Sequence, residues 1–178
     1  ITAASLRLVP AVAARAVAWV GLDSPEAALR LLHRLDARMD DAVEGFELLP
    51  RDALDLVLTH IPGTRNPLAG AHPWHVLIEA TGKEPAPLLG SVLAEALDQG
   101  LIADATLAGS EAQAEALWGL RESVSEAERI DGISVKHDIS VPVAAMPGFM
   151  VETAPKIVAA FPGARPLPFG HLGDGNIH

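Results

Sequence analysis

The sequence predicts an α+β fold in which a ferredoxin-like sheet, antiparallel or mixed, is covered by helices on one face. The order of elements favours this class, because short strand-like runs alternate with long helix-like segments along all 178 residues. The hydrophobic fraction of 49% and the charged fraction of 20% are typical of a globular core. The similar order of elements in the two halves adds the hypothesis of two related units, although no sequence repeat is visible.

The first half of the chain is predicted to form two strands, a helix, a third strand and a second helix. Alternating or apolar runs indicate strands over Ser5–Val9, Ala16–Leu22 and Phe46–Leu49. Ser24 followed by Pro25 is typical of a helix start, because the hydroxyl caps free N–H groups and proline suits the first turn. The second helix is predicted over Arg51–His60.

The second half is predicted to alternate between strands and helices. The strands are predicted over His75–Ala80, Ala103–Leu107, Ile133–Val141 and Leu167–Gly170. The helices are predicted over Leu88–Gln99, from Ser110 to about Arg129, and over Phe149–Phe161. Gly100 suits the position after the first of these helices, and Ser110 with Gln113 forms a capping box for the second.

Composition and charge argue against several classes of function. Thirteen basic and 23 acidic residues give a net charge of −10, which argues against nucleic acid and anionic membrane surfaces as partners. No apolar run approaches the roughly 20 residues of a membrane span. The sequence has no cysteine, which fits a reducing, cytoplasmic compartment. No phosphate-binding loop, nucleophile elbow or H-E-x-x-H motif supports a nucleotide-binding or hydrolytic function.

The stretch His171–His178 carries the clearest chemical signal, because two histidines bracket a turn. The residues between them include Gly173, Asp174, Gly175 and Asn176, which favour a tight reversal that brings the two imidazoles together. Neutral imidazole is the commonest metal ligand, so the pair could bind one cation. The alternative is a surface hairpin with two unrelated histidines, since two ligands do not complete a metal site.

Arg121 and Ser125 are four residues apart on the predicted long helix and share one face. None of the helix neighbours of Arg121 is acidic, so its guanidinium needs a partner from elsewhere. That partner is either a distant carboxylate of the fold or the carboxylate of a ligand. The remaining alternative is a solvated arginine at the rim of the helix.

The alternation within Ile133–Val141 separates two sets of side chains. The apolar set, together with His137, is predicted to face the core, and the polar set points the other way. His137 is therefore interpreted as a core or boundary histidine. Lys136 lies among polar neighbours, where a surface pair with Asp138 is the alternative to ligand binding.

Three stretches together resemble the C-terminal substrate domain of FAD-linked oxidases of the vanillyl-alcohol-oxidase/PCMH superfamily, in particular of D-2-hydroxyglutarate and D-lactate dehydrogenases. They are Leu117–Glu122, Lys136–Val143 and Gly170–His178. The last, G-H-x-G-D-G-N-x-H, is the specific motif, and the order and spacing of the other two strengthen it. Leu6–Pro10 and Arg65–Leu68 also look similar to the family.

The resemblance implies a cap domain that holds a 2-hydroxy acid against FAD, which a separate domain of the same chain would bind. His171 and His178 would be two ligands of a divalent metal, expected to be zinc. Arg121 and Lys136 would hold substrate carboxylates, and Ser125 would form a hydrogen bond where relatives often carry threonine. Asn176 would lie near substrate and flavin.

The expected function is therefore part of an FAD-dependent dehydrogenase that oxidises a D-2-hydroxy acid to the 2-oxo acid by hydride transfer to FAD. D-2-hydroxyglutarate is favoured over D-lactate and glycolate, because Arg121 and Lys136 suit a substrate with more than one anionic group. By the resemblance, a third metal ligand and a histidine base lie downstream. Residues 1–178, taken as one truncated domain, are thus expected to be inactive alone. The alternative is a non-catalytic ferredoxin-like module for ligand binding or oligomerisation, and a homodimer is left open.

Overall fold

A seven-stranded antiparallel sheet with helices on both faces organises the computed structural model, which describes residues 2–5, 14–40 and 42–178. The predicted α+β class is confirmed. The strand predicted over Ser5–Val9 falls almost entirely outside the described residues. None of the described helices has both the length and the apolar content that crossing a bilayer requires.

The described residues form strands β1 (Ala14–Leu22), β2 (Val43–Pro50), β3 (Trp74–Gly82), β4 (Asp104–Leu107), β5 (Ile139–Ser140), β6 (Gly170–His171) and β7 (Asn176–Ile177). The helices are α1 (Pro25–Met39), α2 (Arg51–His60), α3 (Pro85–Asp98), α4 (Glu111–Glu122), α5 (Val124–Asp131) and α6 (Met146–Ala160). A short 3-10 turn, Val143–Ala145, precedes α6.

The strand order β4-β1-β3-β2-β6-β7-β5 contains a ferredoxin-like unit in its first four strands. Strand β3 lies between β1 and β2, and β1 lies between β3 and β4. The connection from β1 through α1 to β2 therefore passes over β3, and the connection from β3 through α3 to β4 passes over β1. This split βαβ arrangement is typical of ferredoxin-like folds. The described part of the chain holds one such unit, and it draws strands from both halves of the sequence.

Helices cover both faces of the sheet, so the prediction of one covered face is wrong. On one face α1, α3 and α6 pack against side chains such as Ala18 and Val20 of β1. On the other face α2, α4 and α5 pack against Val17 and Trp19. Strand β1 is therefore apolar on both sides, and a strand of that kind needs cover on both.

The predicted long helix from Ser110 to Arg129 is divided in two. Ser110 caps α4 as predicted, because its hydroxyl accepts a hydrogen bond from the backbone N–H of Gln113 at 3.3 Å. The helix ends at Glu122, and α5 begins at Val124. Arg121 and Ser125 consequently lie on different helices and do not share one helical face.

The strand predicted over Ile133–Val141 is wrong for most of its length. Only Ile139 and Ser140 pair with another strand. Ile133, Val135 and His137 are exposed instead of facing the core. The alternating pattern suits a strand, but no strand in the described part of the chain pairs with this segment before Ile139. The strand predicted over Leu167–Gly170 is also displaced, since β6 begins at Gly170.

Candidate functional site

The stretch His171–His178 folds back on itself as predicted. Strands β6 and β7 pair Gly170 with Ile177 and His171 with Asn176. The two imidazole rings meet edge to face, with their centroids 5.4 Å apart. The two histidines therefore lie on one side of one hairpin.

Two glycines allow this hairpin to pack closely. Gly175 has a φ of +78°, and a Cβ there would lie 2.0 Å from the carbonyl oxygen of Val141. Gly170 has a φ of +155°, and a Cβ there would lie 2.3 Å from the carbonyl oxygen of Asn176. A side chain at either position would push apart backbone segments that now touch.

Strand register aligns four polar residues in one row across β2, β6, β7 and β5. They are Glu47, His171, Asn176 and Ser140. Residues directly opposite each other in a sheet face the same side. In β3 and β1 the same row continues with Leu77 and Trp19, which are buried under helices. The candidate site thus begins where an apolar row becomes polar.

Glu47 is the innermost residue of this polar row, next to Leu77 of β3, and is only 3% exposed. Its Oε2 accepts a hydrogen bond from Arg121 Nε at 2.8 Å. Its Oε1 is paired with His171 Nδ1. The distant carboxylate that was one of the predicted partners of Arg121 is therefore Glu47.

Glu47 is not among the predicted site residues, although its position in the sequence carries a signal. It stands between Phe46 and Leu48 in a strand whose neighbours are buried on both faces of the sheet. A carboxylate in such a run is buried, and a buried carboxylate requires a cation or several donors. The identity of those donors could not be read from local sequence.

Arg121 links Glu47 to the aromatic part of the site. Its guanidinium carbon lies 4.9 Å from the ring centroid of Phe169, a distance typical of a cation–π contact. The Phe169 ring in turn lies 5.3 Å from that of His178. Within the described residues Arg121 donates through Nε, and both Nη atoms stay available to a ligand.

His178 and Asn176 share a contact with Asp138. Asp138 Oδ1 accepts a hydrogen bond from Asn176 Nδ2 at 2.7 Å and lies 3.5 Å from His178 Nδ1. Burial lowers the pKa of His178, and the charge of Arg121 lowers it further, so the imidazole is neutral at pH 7. Asn176 Oδ1 is buried and has no hydrogen-bond partner among the described residues.

Lys136 and Ser125 form a second, separate group. Lys136 Nζ lies 3.0 Å from Glu128 Oε2 and 3.2 Å from the backbone oxygen of Ser125. The structure thus brings these two predicted residues together. The contacts recorded for the described residues do not join them to Arg121, and the ammonium already has an anionic partner.

The donor set for a metal is partial within the described residues. They contain no group of three or more histidine, cysteine, aspartate or glutamate side chains able to hold an ion. His171 uses Nδ1 towards Glu47, which leaves Nε2 for a ligand. Metal-binding histidines usually direct their second nitrogen to a carboxylate in this way. The pair therefore suits two ligands of an incomplete site.

His171 also lines a cavity of about 260 Å³. Its lining includes Asp36, Glu44 and Asp174. Three carboxylates make this cavity unsuited to an anionic ligand. Arg121, which could bind an anion through its Nη atoms, does not line this cavity.

Comparison with known proteins gives a consistent result. A family model described as FAD linked oxidases, C-terminal domain, matches residues 12–178. D-2-hydroxyglutarate dehydrogenase of Xanthomonas citri is 37% identical over 138 residues, covering 76% of this chain and 29% of that protein. The mitochondrial D-2-hydroxyglutarate dehydrogenase of Bos taurus is 32% identical over 182 residues, covering 100% and 32%. A putative mitochondrial D-lactate dehydrogenase of Schizosaccharomyces pombe is 28% identical over 174 residues, covering 91% and 33%. The chain spans about a third of the length of these curated relatives.

Proposed function

This chain belongs to the FAD-linked oxidase C-terminal domain family, and on that premise we propose that it is the substrate- and metal-binding domain of a longer flavoprotein. The flavoprotein would oxidise a D-2-hydroxy acid to the 2-oxo acid. The observation that carries the proposal is the connected set Glu47, Arg121 and His171, with His178 beside it. A guanidinium and two imidazoles on one face of a sheet suit an anionic substrate next to a cation.

Arg121 would bind a carboxylate of the substrate. The protein carries a net charge of −10, so an anion has to be held by individual cations and not by a general field. Glu47 holds Nε, and the guanidinium carbon lies over the Phe169 ring. The two Nη atoms would then meet a carboxylate in a bidentate arrangement. D-2-hydroxyglutarate is named in several relatives and is our favoured substrate; D-lactate and glycolate are the alternatives.

Lys136 is proposed to bind the second carboxylate of such a substrate. For this it must exchange its contact with Glu128 for one with the ligand. Ser125 lies beside it, since its backbone oxygen accepts from Lys136 Nζ. Asn176 is proposed to lie near substrate and flavin, where its unpartnered Oδ1 could accept a hydrogen bond.

His171 and His178 are proposed to hold a divalent cation, with zinc favoured because imidazole nitrogen is a common zinc ligand. When bound, the cation would polarise the substrate hydroxyl, and FAD would accept the hydride. The lowered pKa of His178 keeps a ring nitrogen lone pair available at neutral pH. FAD would be bound mainly by another domain of the same polypeptide.

Location and assembly stay predictions. The cytoplasmic location was inferred from the absence of cysteine, whereas the Bos taurus relative is named as mitochondrial. A homodimer likewise stays a prediction.

The proposal is tested by His171→Ala in the full-length flavoprotein. We expect loss of bound zinc, measured by elemental analysis. We also expect a loss of more than about 100-fold in kcat/KM for D-2-hydroxyglutarate with a dye acceptor, because removing a ligand exceeds the usual effect of removing its supporting residue. The matched control is His33→Ala, at an exposed histidine on α1.

Unchanged metal content and turnover in His171→Ala would remove the metal site from the proposal. The same assay with D-lactate tests the substrate. Equal kcat/KM for the two acids would contradict the proposal that Arg121 and Lys136 favour a substrate with two carboxylates.

A further inference from the structure

Glu47 joins two groups of the proposed site that have different tasks. One carboxylate oxygen accepts from Arg121 Nε and the other is paired with His171 Nδ1. An ionised carboxylate has no proton to donate, so both partners must be the donors. We propose that Glu47 is a positioning residue that fixes the tautomer of His171 and the orientation of Arg121. This inference rests on the proposed function, because it concerns the same site.

The tautomer of His171 follows from its partner. A neutral imidazole has one N–H and one lone pair, and the hydrogen bond of one nitrogen decides the state of the other. Because Nδ1 faces an acceptor, it carries the proton, and Nε2 carries the lone pair. His171 is the more exposed partner, with 43% of its side chain accessible against 4% for Glu47. The ring can therefore present Nε2 to a ligand while Nδ1 is held from within.

Orientation of Arg121 follows from the same carboxylate. Its side chain is 12% exposed, its Nε donates to Glu47, and its guanidinium carbon lies over the Phe169 ring. A planar group fixed in this way has few ways to turn. The register of β2 with β6 places Glu47 directly opposite His171. One buried carboxylate thus ties the anion-binding group to the metal-binding group.

The substitution Glu47→Gln tests whether Glu47 fixes the His171 tautomer or only forms an ion pair. Glutamine has one acceptor oxygen and one amide that donates. Arg121 can only donate, so it pairs with the side-chain oxygen of the new glutamine. The side-chain NH₂ group must then face His171. Nδ1 then becomes the acceptor, and the proton moves to Nε2. The substitution changes few atoms but reverses the expected tautomer.

Long-range ¹H–¹⁵N NMR on the metal-free full-length flavoprotein with ¹⁵N-labelled histidine, at pH 8, measures the tautomer directly. We expect Nδ1–H in the wild-type protein and Nε2–H in Glu47→Gln. The matched control is Glu79→Gln on β3. Glu79 accepts from Arg15 at 3.1 Å and from Trp118 at 2.7 Å, and none of its partners within the described residues is a histidine. That variant should leave the His171 tautomer unchanged.

Zinc titration of the full-length flavoprotein supplies the second readout. Glu47→Gln should weaken zinc binding by about 10- to 100-fold, the usual effect of losing the carboxylate behind a metal-binding histidine, and Glu79→Gln should not. A wild-type His171 protonated on Nε2, or an unchanged tautomer in Glu47→Gln, would overturn the inference. The wild-type measurement decides the matter even if the variant does not fold. Failure of the wild-type flavoprotein to bind zinc would instead overturn the proposed function, while the tautomer result would stand.

Discussion

Two polar side chains are buried in the described part of the chain, and their surroundings differ. His75 is 2% exposed and Glu47 is 3% exposed. His75 accepts a hydrogen bond from Trp19 Nε1 at 3.1 Å, and Trp19 is itself fully buried. Glu47 is paired with Arg121 and with His171, whose side chain is 43% exposed. One group is closed inside the core, and the other leads to the surface.

The difference favours a structural role for His75 and fits the proposed binding role of the partners of Glu47. A neutral imidazole with a buried partner is explained by the core that surrounds it. A buried ion pair is not explained by stability, because apolar residues of similar volume are often at least as stable. The contacts of Glu47 are explained if its partners have to bind something outside the protein.

The strongest test of this comparison is Glu47→Leu. Removing one partner of a buried ion pair leaves the Arg121 charge uncompensated, so we expect a loss of about 3–5 kcal/mol in the free energy of unfolding. Urea denaturation at pH 7 measures it. Adding Arg121→Met should restore most of that stability. If the double variant were as unstable as the single one, the ion pair would be structural, as the Trp19–His75 pair is.

His75 should produce a pH dependence of stability. Burial lowers its pKa to about 4, with further lowering by His72 and Arg51. The unfolded chain binds a proton below about pH 6.5, and the folded chain does so only near pH 4. Stability should therefore fall as pH decreases through this window, by about 3 kcal/mol in total.

Urea denaturation at pH 7 and pH 4.5 measures this effect. The comparison with His75→Gln isolates His75 from the other titrating groups. An identical pH dependence of the free energy of unfolding in the two proteins would show that folding does not lower the pKa of His75.

Gly175→Ala tests how the hairpin is held against the rest of the site. A side chain at positive φ, here also facing the Val141 carbonyl, should cost about 1–3 kcal/mol. The matched control is Gly173→Ala in the same turn, where a Cβ would meet nothing within 4 Å. Thermal unfolding measures both. Equal effects at the two positions would mean that the close contact with Val141 is unimportant.

Local chemistry allowed part of this structure to be predicted. The hairpin at His171–His178 was predicted because glycine, aspartate and asparagine specify a turn through their own backbone preferences. Helix starts at Ser24 and Ser110 were also predictable from local chemistry, because each hydroxyl accepts a hydrogen bond from a backbone N–H three residues later. The family resemblance, drawn from three short stretches, is confirmed by the family match over residues 12–178.

Features that depend on distant partners were not predictable. The alternation in Ile133–Val141 suggested a strand, but a strand also needs a neighbour, which sequence periodicity does not reveal. The pairing of Glu47 with His171 joins residues 124 positions apart. The presence of helices on both faces could be predicted only by knowing which strands lie at the centre of the sheet.

The long separation within the Glu47 site sets an order of events during synthesis. Arg121 leaves the ribosome before His171, because it lies 74 residues after Glu47 and His171 lies 124 residues after it. At about 5–20 residues per second, roughly 6–25 s pass between the synthesis of Glu47 and that of His171. The carboxylate can therefore be neutralised by Arg121 first, and the histidines join a site whose charge is already balanced.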